Sequence, residues 1–259
     1  MHPVLAKIGP FVIYSYGTML AAAFIISVLL VFIKAKRLGL KEETIISLSL
    51  YVVIPAIIGA RFLYVALNLK EFQSNPFEIL MVHHGGLVFY GGLLGGVVGG
   101  IFYAKRNKSS VTQLLDMVAP YVALGQAIAR VGCLLNGCCY GRLILAATSS
   151  PGLIFPSGSI AGNQFPGQIL FPTQFYSSLA NIGIFLILLT WSKFKKKNGE
   201  IFAGYLLLYS IKRFLIEFLR GDSPVLLFGL TFFQLASLAI GIIALIWLFK
   251  RRRKYVDGR

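Results

Sequence analysis

FVIYSYGTMLAAAFIISVLLVFIKAKRLGLKEE, residues 11–43, decides the fold. The first 23 of these residues contain no Asp, Glu, Lys or Arg. As a helix they would reach about 34 Å, enough to cross a hydrocarbon layer ~30 Å thick. Lys34, Lys36, Arg37 and Lys41 follow at once, and a basic flank of this kind marks the cytoplasmic end of a span. Only Lys7 precedes the run. The run is also too long for a signal-peptide core and has no A-x-A-like exit, so it is expected to stay as a membrane span.

The rest of the chain repeats this grammar. The 259 residues are 57% hydrophobic, with a mean hydropathy of +0.77, more than a soluble domain of this size could hide in one core. Six further apolar runs lie at approximately 44–67, 85–103, 111–130, 173–191, 201–218 and 231–249. The formal charge of +16 would suggest nucleic acid in a soluble protein, but here the basic residues sit in short connections, which is membrane topology. No nucleic-acid partner is expected. Lys105, Arg106, Lys108, Lys193, Lys195, Lys196, Lys197, Lys250, Arg251, Arg252, Arg253, Lys254 and Arg259 join the first four, so alternate connections and the tail hold 17 of the 25 basic residues.

The reading is therefore an all-α polytopic membrane protein of about seven transmembrane helices, one domain over 1–259, in a bacterial inner membrane. The N-terminus and the segments 68–84, 131–172 and 219–230 face outward, and the C-terminus is cytoplasmic. Segment 131–172 carries Pro151, Gly152, Pro156, Gly158, Gly162, Pro166 and Gly167; it reads as an irregular extracytoplasmic head. In the third run Gly91-Gly92, Gly95-Gly96 and Gly99-Gly100 recur every four residues, which lets another helix approach closely.

Ionisable groups inside a membrane cost several kcal/mol unless paired or wet, so their placement points to function. Arg61, Arg130, Lys212, Arg213, Glu217 and Arg220 all fall toward the outer side, with Tyr14, Tyr16, Tyr90, Gln174 and Tyr176 opening their spans from outside. Arg213, Glu217 and Arg220 stand at i, i+4 and i+7 on one helix face. Arg213 and Glu217 alone could be a structural pair. With Arg130 and Arg61 added, several cations share one carboxylate, and guanidinium suits bidentate phosphate recognition. An outer-leaflet phospholipid head group is the obvious phosphate. Asp116 falls near the cytoplasmic end of its span and reads as a helix-start carboxylate or packing partner.

The run Arg130-Val-Gly-Cys-Leu-Leu-Asn-Gly-Cys-Cys-Tyr-Gly-Arg142 resembles the signature R-x-G-N-F-x-N-x-E-x-x-G-R of the prolipoprotein diacylglyceryl transferases. Further matches follow in that family's order: Tyr16-Gly17, Gly59-Ala60-Arg61 with Tyr64, Gly86-Leu-Val-Phe-Tyr-Gly-Gly-Leu93, Pro172-Thr-Gln-Phe-Tyr176 and Arg213-Phe-Leu-Ile-Glu-Phe-Leu-Arg220-Gly-Asp222. The resemblance implies transfer of diacylglyceryl from phosphatidylglycerol to the lipobox cysteine of a prolipoprotein signal peptide, forming a thioether. It also implies catalytic parts for Arg130, Arg213, Tyr90 and Glu217. Arg130, Arg220, Tyr16, Cys133, Asn136, Gly141 and Arg61 would bind phosphatidylglycerol among the membrane lipids.

Four departures from the pattern matter. Tyr90 stands where many members have His, Cys133 replaces the first Asn of the signature, Cys138 occupies its Glu position, and Ser177 stands where many have Glu. A phenol is a poor base at neutral pH, so the base is left open among Tyr90, Glu217, His83 and His84; the two histidines read rather as interfacial loop residues, since only sequence distance places them at the site. Two other functions stay open: a small-anion transporter, although no paired repeat is present, and a family paralogue that binds lipid without transferring it. Cys133 could bridge Cys138 or Cys139 in an oxidising compartment, or the three could be small packing groups. C-x4-C-C lacks paired zinc spacing and His2, His83 and His84 are not near it in sequence, so neither a metal nor a cofactor is expected.

Overall fold

The computed structural model describes residues 1–9, 11–37, 39, 42–73, 75–81, 85–144, 151–221 and 223–256. Among them are eight α-helices: α1 (Ser15–Arg37), α2 (Glu42–Leu67), α3 (Phe89–Arg106), α4 (Val111–Asn136), α5 (Ile160–Gln164), α6 (Thr173–Phe194), α7 (Glu200–Glu217) and α8 (Phe232–Val256). Five are long and apolar enough to cross a membrane: α1, α2, α4, α6 and α8 over Phe232–Lys250. The other two long helices, α3 and α7, have 18 residues each, and α7 carries Glu200, Lys212, Arg213 and Glu217.

The opening stretch corrects one sequence boundary. Helix α1 starts at Ser15, because Phe11–Tyr14 (β2) pairs antiparallel with Val4–Ile8 (β1), Lys7 opposite Val12 and Ala6 opposite Ile13. Val12, Ile13 and Tyr14 favour a strand, and Gly9, at φ +59°, turns the chain between the two. The head is also less irregular than its Pro and Gly content implied. Leu153–Ile154 (β3) pairs with Ile169–Leu170 (β4), and Ser159 caps α5 by accepting from the Gly162 amide at 3.1 Å. Phe155, Ala161 and Leu170 form a small core there with Tyr140 and Phe165 packed on it. A last hairpin, Val225–Leu227 (β5) with Leu230–Thr231 (β6), precedes α8.

The chain divides into two compact units, Met1–Leu30 with Leu115–Arg259, and Val31–Leu114. In the first, Ala119 and Ala123 of α4 meet Ile184 and Leu188 of α6 and Ile201 and Tyr205 of α7. Asp116 joins the same three helices: its carboxylate accepts from the Gly199 and Phe202 amides at 2.7 and 2.9 Å and pairs with Lys195 at 3.3 Å. It is a helix-start carboxylate, but the start it caps is that of α7, whose first amides lack intrahelical acceptors.

In the second unit α2 and α3 pack backbone to backbone. A Cβ at Gly91, Gly95 or Gly99 would fall on the carbonyl oxygen of Gly59, Pro55 or Tyr51 respectively. Pro55 has no N–H, so the Tyr51 carbonyl four residues earlier loses its helical donor and faces Gly99 of α3 instead. Both units are inverted relative to water-soluble domains. Ile58, Leu94, Val98 and Ile243 are all more than 60% exposed, while Gln174 and Asn181 are fully buried, the distribution expected when the surrounding solvent is lipid.

Candidate functional site

The last turn of α4 delivers Arg130, Cys133 and Asn136 into a sharp loop. Gly137 (φ +71°) and Cys139 (φ +60°) both take left-handed backbone, which costs a non-glycine residue roughly 1–2 kcal/mol. The first turn of α6 holds that shape. Gln174 Nε2 donates to the Cys138 carbonyl at 2.7 Å and Thr173 Oγ1 to the Cys139 carbonyl at 2.6 Å. The Ala161 amide of α5 donates to the Gly137 carbonyl at 3.0 Å.

Beyond the loop the chain joins the end of α7. Gly141 bridges antiparallel to Arg220, and the Arg142 amide donates to the Leu219 carbonyl at 2.8 Å. A Cβ on Gly141 would lie 2.6 Å from both the Leu219 oxygen and Phe171 Cβ, so only glycine permits this crossing. The crossing sets Arg142 beside Gly221 on the wall of a cavity of about 440 Å³, with Tyr140, Gln164 and Phe165. Gly132 lets α1 approach α4, with Tyr16 Cα 3.4 Å from where its Cβ would be.

Glu217 is the only acidic group bonded within this cationic cluster among the described residues. Its Oε2 lies 3.0 Å from Arg213 Nη2 and 4.0 Å from Arg220 Nε, and its Oε1 accepts from Thr231 Oγ1 at 3.1 Å. The Arg213 guanidinium lies 4.5 Å over the Phe233 ring. Lys212, buried on the same helix, donates to Asn181 Oδ1 at 2.9 Å and sits 3.9 Å from the centre of the Tyr209 ring. Arg130 is within Coulombic reach of Lys212, Arg213 and Cys139. Among the described residues its guanidinium has no hydrogen bond or ion pair. A half-buried guanidinium with no carboxylate bonded to it is suited to take an anion.

The three thiols close the site. The Sγ atoms of Cys133, Cys138 and Cys139 all lie within 4.8 Å of one another, the Cys138 thiol donates to the Cys133 carbonyl at 3.7 Å, and the Asn136 side chain hydrogen-bonds Cys138. Hydrogen bonds from Cys133 and Cys138, reinforced by Arg130 and Arg220, hold the Cys139 thiol well below the usual thiol range.

Eight of the residues singled out in the sequence thus fall in the first unit: Tyr16, Arg130, Cys133, Asn136, Gly141, Arg213, Glu217 and Arg220. Arg61 and Tyr90 belong to the second. Arg61 is buried and spends its guanidinium on backbone: Nε donates to the Ile79 carbonyl at 2.9 Å, Nη1 to those of Gly85 and Gly86 at 2.7 and 3.2 Å, and Nη2 to that of Glu78. Tyr90 is exposed in the first turn of α3. His83, His84 and Asp222 lie outside the described residues. Sequence reasoning did not single out Asn181 or Thr231. The available signal was an amide within an apolar helix and a hydroxyl at the start of another apolar run, which in a membrane implies a partner.

A family model described as prolipoprotein diacylglyceryl transferase matches residues 3–250. The chain is similar to a protein of Clostridium tetani (strain Massachusetts / E88) named phosphatidylglycerol–prolipoprotein diacylglyceryl transferase, 36% identical over 247 residues, covering 93% of this chain and 96% of that one. It is 37% identical over 222 residues to phosphatidylglycerol–prolipoprotein diacylglyceryl transferase 2 of Clostridium perfringens (strain 13 / Type A), covering 86% and 84%. A Bacillus mycoides (strain KBAB4) protein with the first of these names is 35% identical over 250 residues, covering 96% and 92%.

Proposed function

The chain belongs to the prolipoprotein diacylglyceryl transferase family, and from that premise we infer that it transfers the diacylglyceryl group of phosphatidylglycerol to the lipobox cysteine thiol of prolipoproteins, the first step of lipoprotein maturation. The carbon–sulfur bond forms as the carbon–oxygen bond to phosphate breaks. The electron pair departs with glycerol phosphate, and the thiol proton passes to a base or to water. Negative charge grows on the departing phosphate, so the step is accelerated by cations already fixed around it in a site closed to bulk water.

The observation that carries this reading is the Arg130 guanidinium, which has no hydrogen bond or ion pair among the described residues while Glu217 occupies Arg213 and approaches Arg220. Arg130 and Arg213 take the phosphate charge, and Glu217 orients Arg213 and Arg220. Arg220, Tyr16, Cys133, Asn136 and Gly141 shape the phosphatidylglycerol side of the site. Tyr90, exposed in the first turn of α3, takes its catalytic part from the family resemblance alone. Arg61 acts by pinning the loop that carries Gly86, since its donors are engaged by that loop's carbonyls. The whole chain works as one transferase in the inner membrane, with seven spans, the N-terminus and the 131–172 head outside, the C-terminus in the cytoplasm and the signal peptide arriving through the lipid.

Replacing Arg130 with Ala is expected to abolish lipidation of a lipobox peptide by purified protein in phosphatidylglycerol vesicles, while Arg130→Lys restores a fraction as a point charge without bidentate geometry. Full activity in Arg130→Ala would remove the phosphate clamp. Growth of a strain depleted of its own transferase, once this chain is supplied, tests the activity itself.

A further inference from the structure

Two of the four departures from the family pattern, Cys133 and Cys138, are neighbours in space, and the fold adds a third thiol from Cys139. Their sulfurs come from two different pieces of chain, the buried end of α4 and the loop after it, yet all lie within 4.8 Å of one another. Zinc–sulfur bonds of about 2.3 Å place ligating sulfurs roughly 3.8 Å apart in a tetrahedron and roughly 4.0 Å apart in a plane. The three thiols therefore need to contract by less than about 1 Å to share one ion.

The spacing C-x4-C-C argues against a site built like a zinc finger, which draws four ligands from two paired motifs. It does not bear on a three-sulfur site folded from one loop. Here the loop is already fixed: Gln174 and Thr173 bond the carbonyls of Cys138 and Cys139, and Cys139 is held in left-handed backbone. Three packing methyl equivalents would need neither constraint. Charge also fits. Three thiolates around a divalent ion leave one net negative charge, and Arg130 and Arg220 are both within Coulombic reach of Cys139.

We propose that Cys133, Cys138 and Cys139 bind one thiophilic d10 metal ion, zinc being the reference case, which staples the end of α4 to the loop carrying Gly141 and Arg142. Each sulfur enters as thiolate and its proton leaves to solvent. Soft sulfur donors select such ions over calcium or magnesium.

The test uses the full chain purified in detergent under anaerobic, reducing conditions and loaded with Cd2+ or Zn2+. One ion per chain is expected after desalting, with an ultraviolet sulfur-to-cadmium charge-transfer band, and each of Cys133→Ser, Cys138→Ser and Cys139→Ser should weaken retention at least tenfold. Because a serine variant could misfold, alkylation of the unaltered protein is followed by mass spectrometry with and without Zn2+; all three cysteines should be protected together. Failure to retain a stoichiometric ion, equal retention by the triple serine variant, unprotected thiols in the loaded protein, or a disulfide among the three in protein isolated without reductant would each overturn the proposal. All of these readouts are independent of transferase activity.

Discussion

Glu217 is 2% exposed and balances two arginines through one oxygen while its other oxygen takes the Thr231 hydroxyl. Removing the charge takes from Arg213 its carboxylate 3.0 Å away in an apolar bundle, and breaking a buried pair from one side costs about 3–5 kcal/mol. Glu217→Gln should therefore lower the thermal midpoint sharply and also slow transfer, because Arg213 loses the group that aims it. Unfolding followed in detergent with phosphatidylglycerol titrated in would check both: added lipid phosphate should recover part of the lost stability, and a variant as stable as the parent would show that Glu217 is not the counter-ion. At this scale much was legible. The i, i+4 spacing put Arg213 and Glu217 on one helix face, as α7 has them, but the same reading extended the face to Arg220, which lies past the end of α7 in the bridge to Gly141. Arg61 was not legible, because its acceptors are backbone carbonyls of residues 78–86, and a carbonyl leaves no mark in a sequence.

For the elements, the glycine pairs of α3 show what a pattern can and cannot say. The four-residue repeat announced a close helix contact, but both registers, Gly91/Gly95/Gly99 and Gly92/Gly96/Gly100, fit it equally. The choice is made by Pro55 of α2, whose missing N–H leaves the Tyr51 carbonyl pointing at Gly99, and by the matching approach of the Pro55 and Gly59 carbonyls to Gly95 and Gly91. A methyl on that register meets backbone, which cannot rotate away, so Gly95→Ala and Gly99→Ala should each cost about 1–3 kcal/mol. On the other register the new Cβ would stand at ordinary contact distances, 3.6 Å from Ala56 Cβ and 3.7 Å from the Val52 carbonyl oxygen at Gly96, and 3.7 Å from Val52 Cγ2 at Gly100. Gly96→Ala and Gly100→Ala should be neutral or slightly stabilising, since alanine also favours the helix. Parallel melting curves of the four variants decide it, and equal losses in both registers would mean that α2 and α3 are not packed this way.

Across the whole molecule, each of the apolar runs overlaps a long helix among the described residues, five of them long and apolar enough to cross a membrane, because length and hydropathy belong to the chain itself. The division into two compact units was not legible: it depends on which helices share interfaces, and polytopic helices are uniformly apolar on most faces. Charge supplies the remaining large-scale expectation. Seventeen of 25 basic residues lie in alternate connections and the tail, and positive segments resist translocation. Of the candidate site, Arg130, Asn136, Gly141 and Arg220 were all drawn from connections or helix ends assigned by that bias to the outer side. Green fluorescent protein fused after the last residue should therefore fluoresce, and alkaline phosphatase inserted within residues 156–159 of the head should be active. With an odd number of spans between them the two insertion points lie on opposite sides, so both reporters are on, or both are off. A phosphatase that is silent in the head would place the thiols and arginines in the cytoplasm, away from a lipobox cysteine presented outside, and a transferase working at the outer leaflet could not then use them.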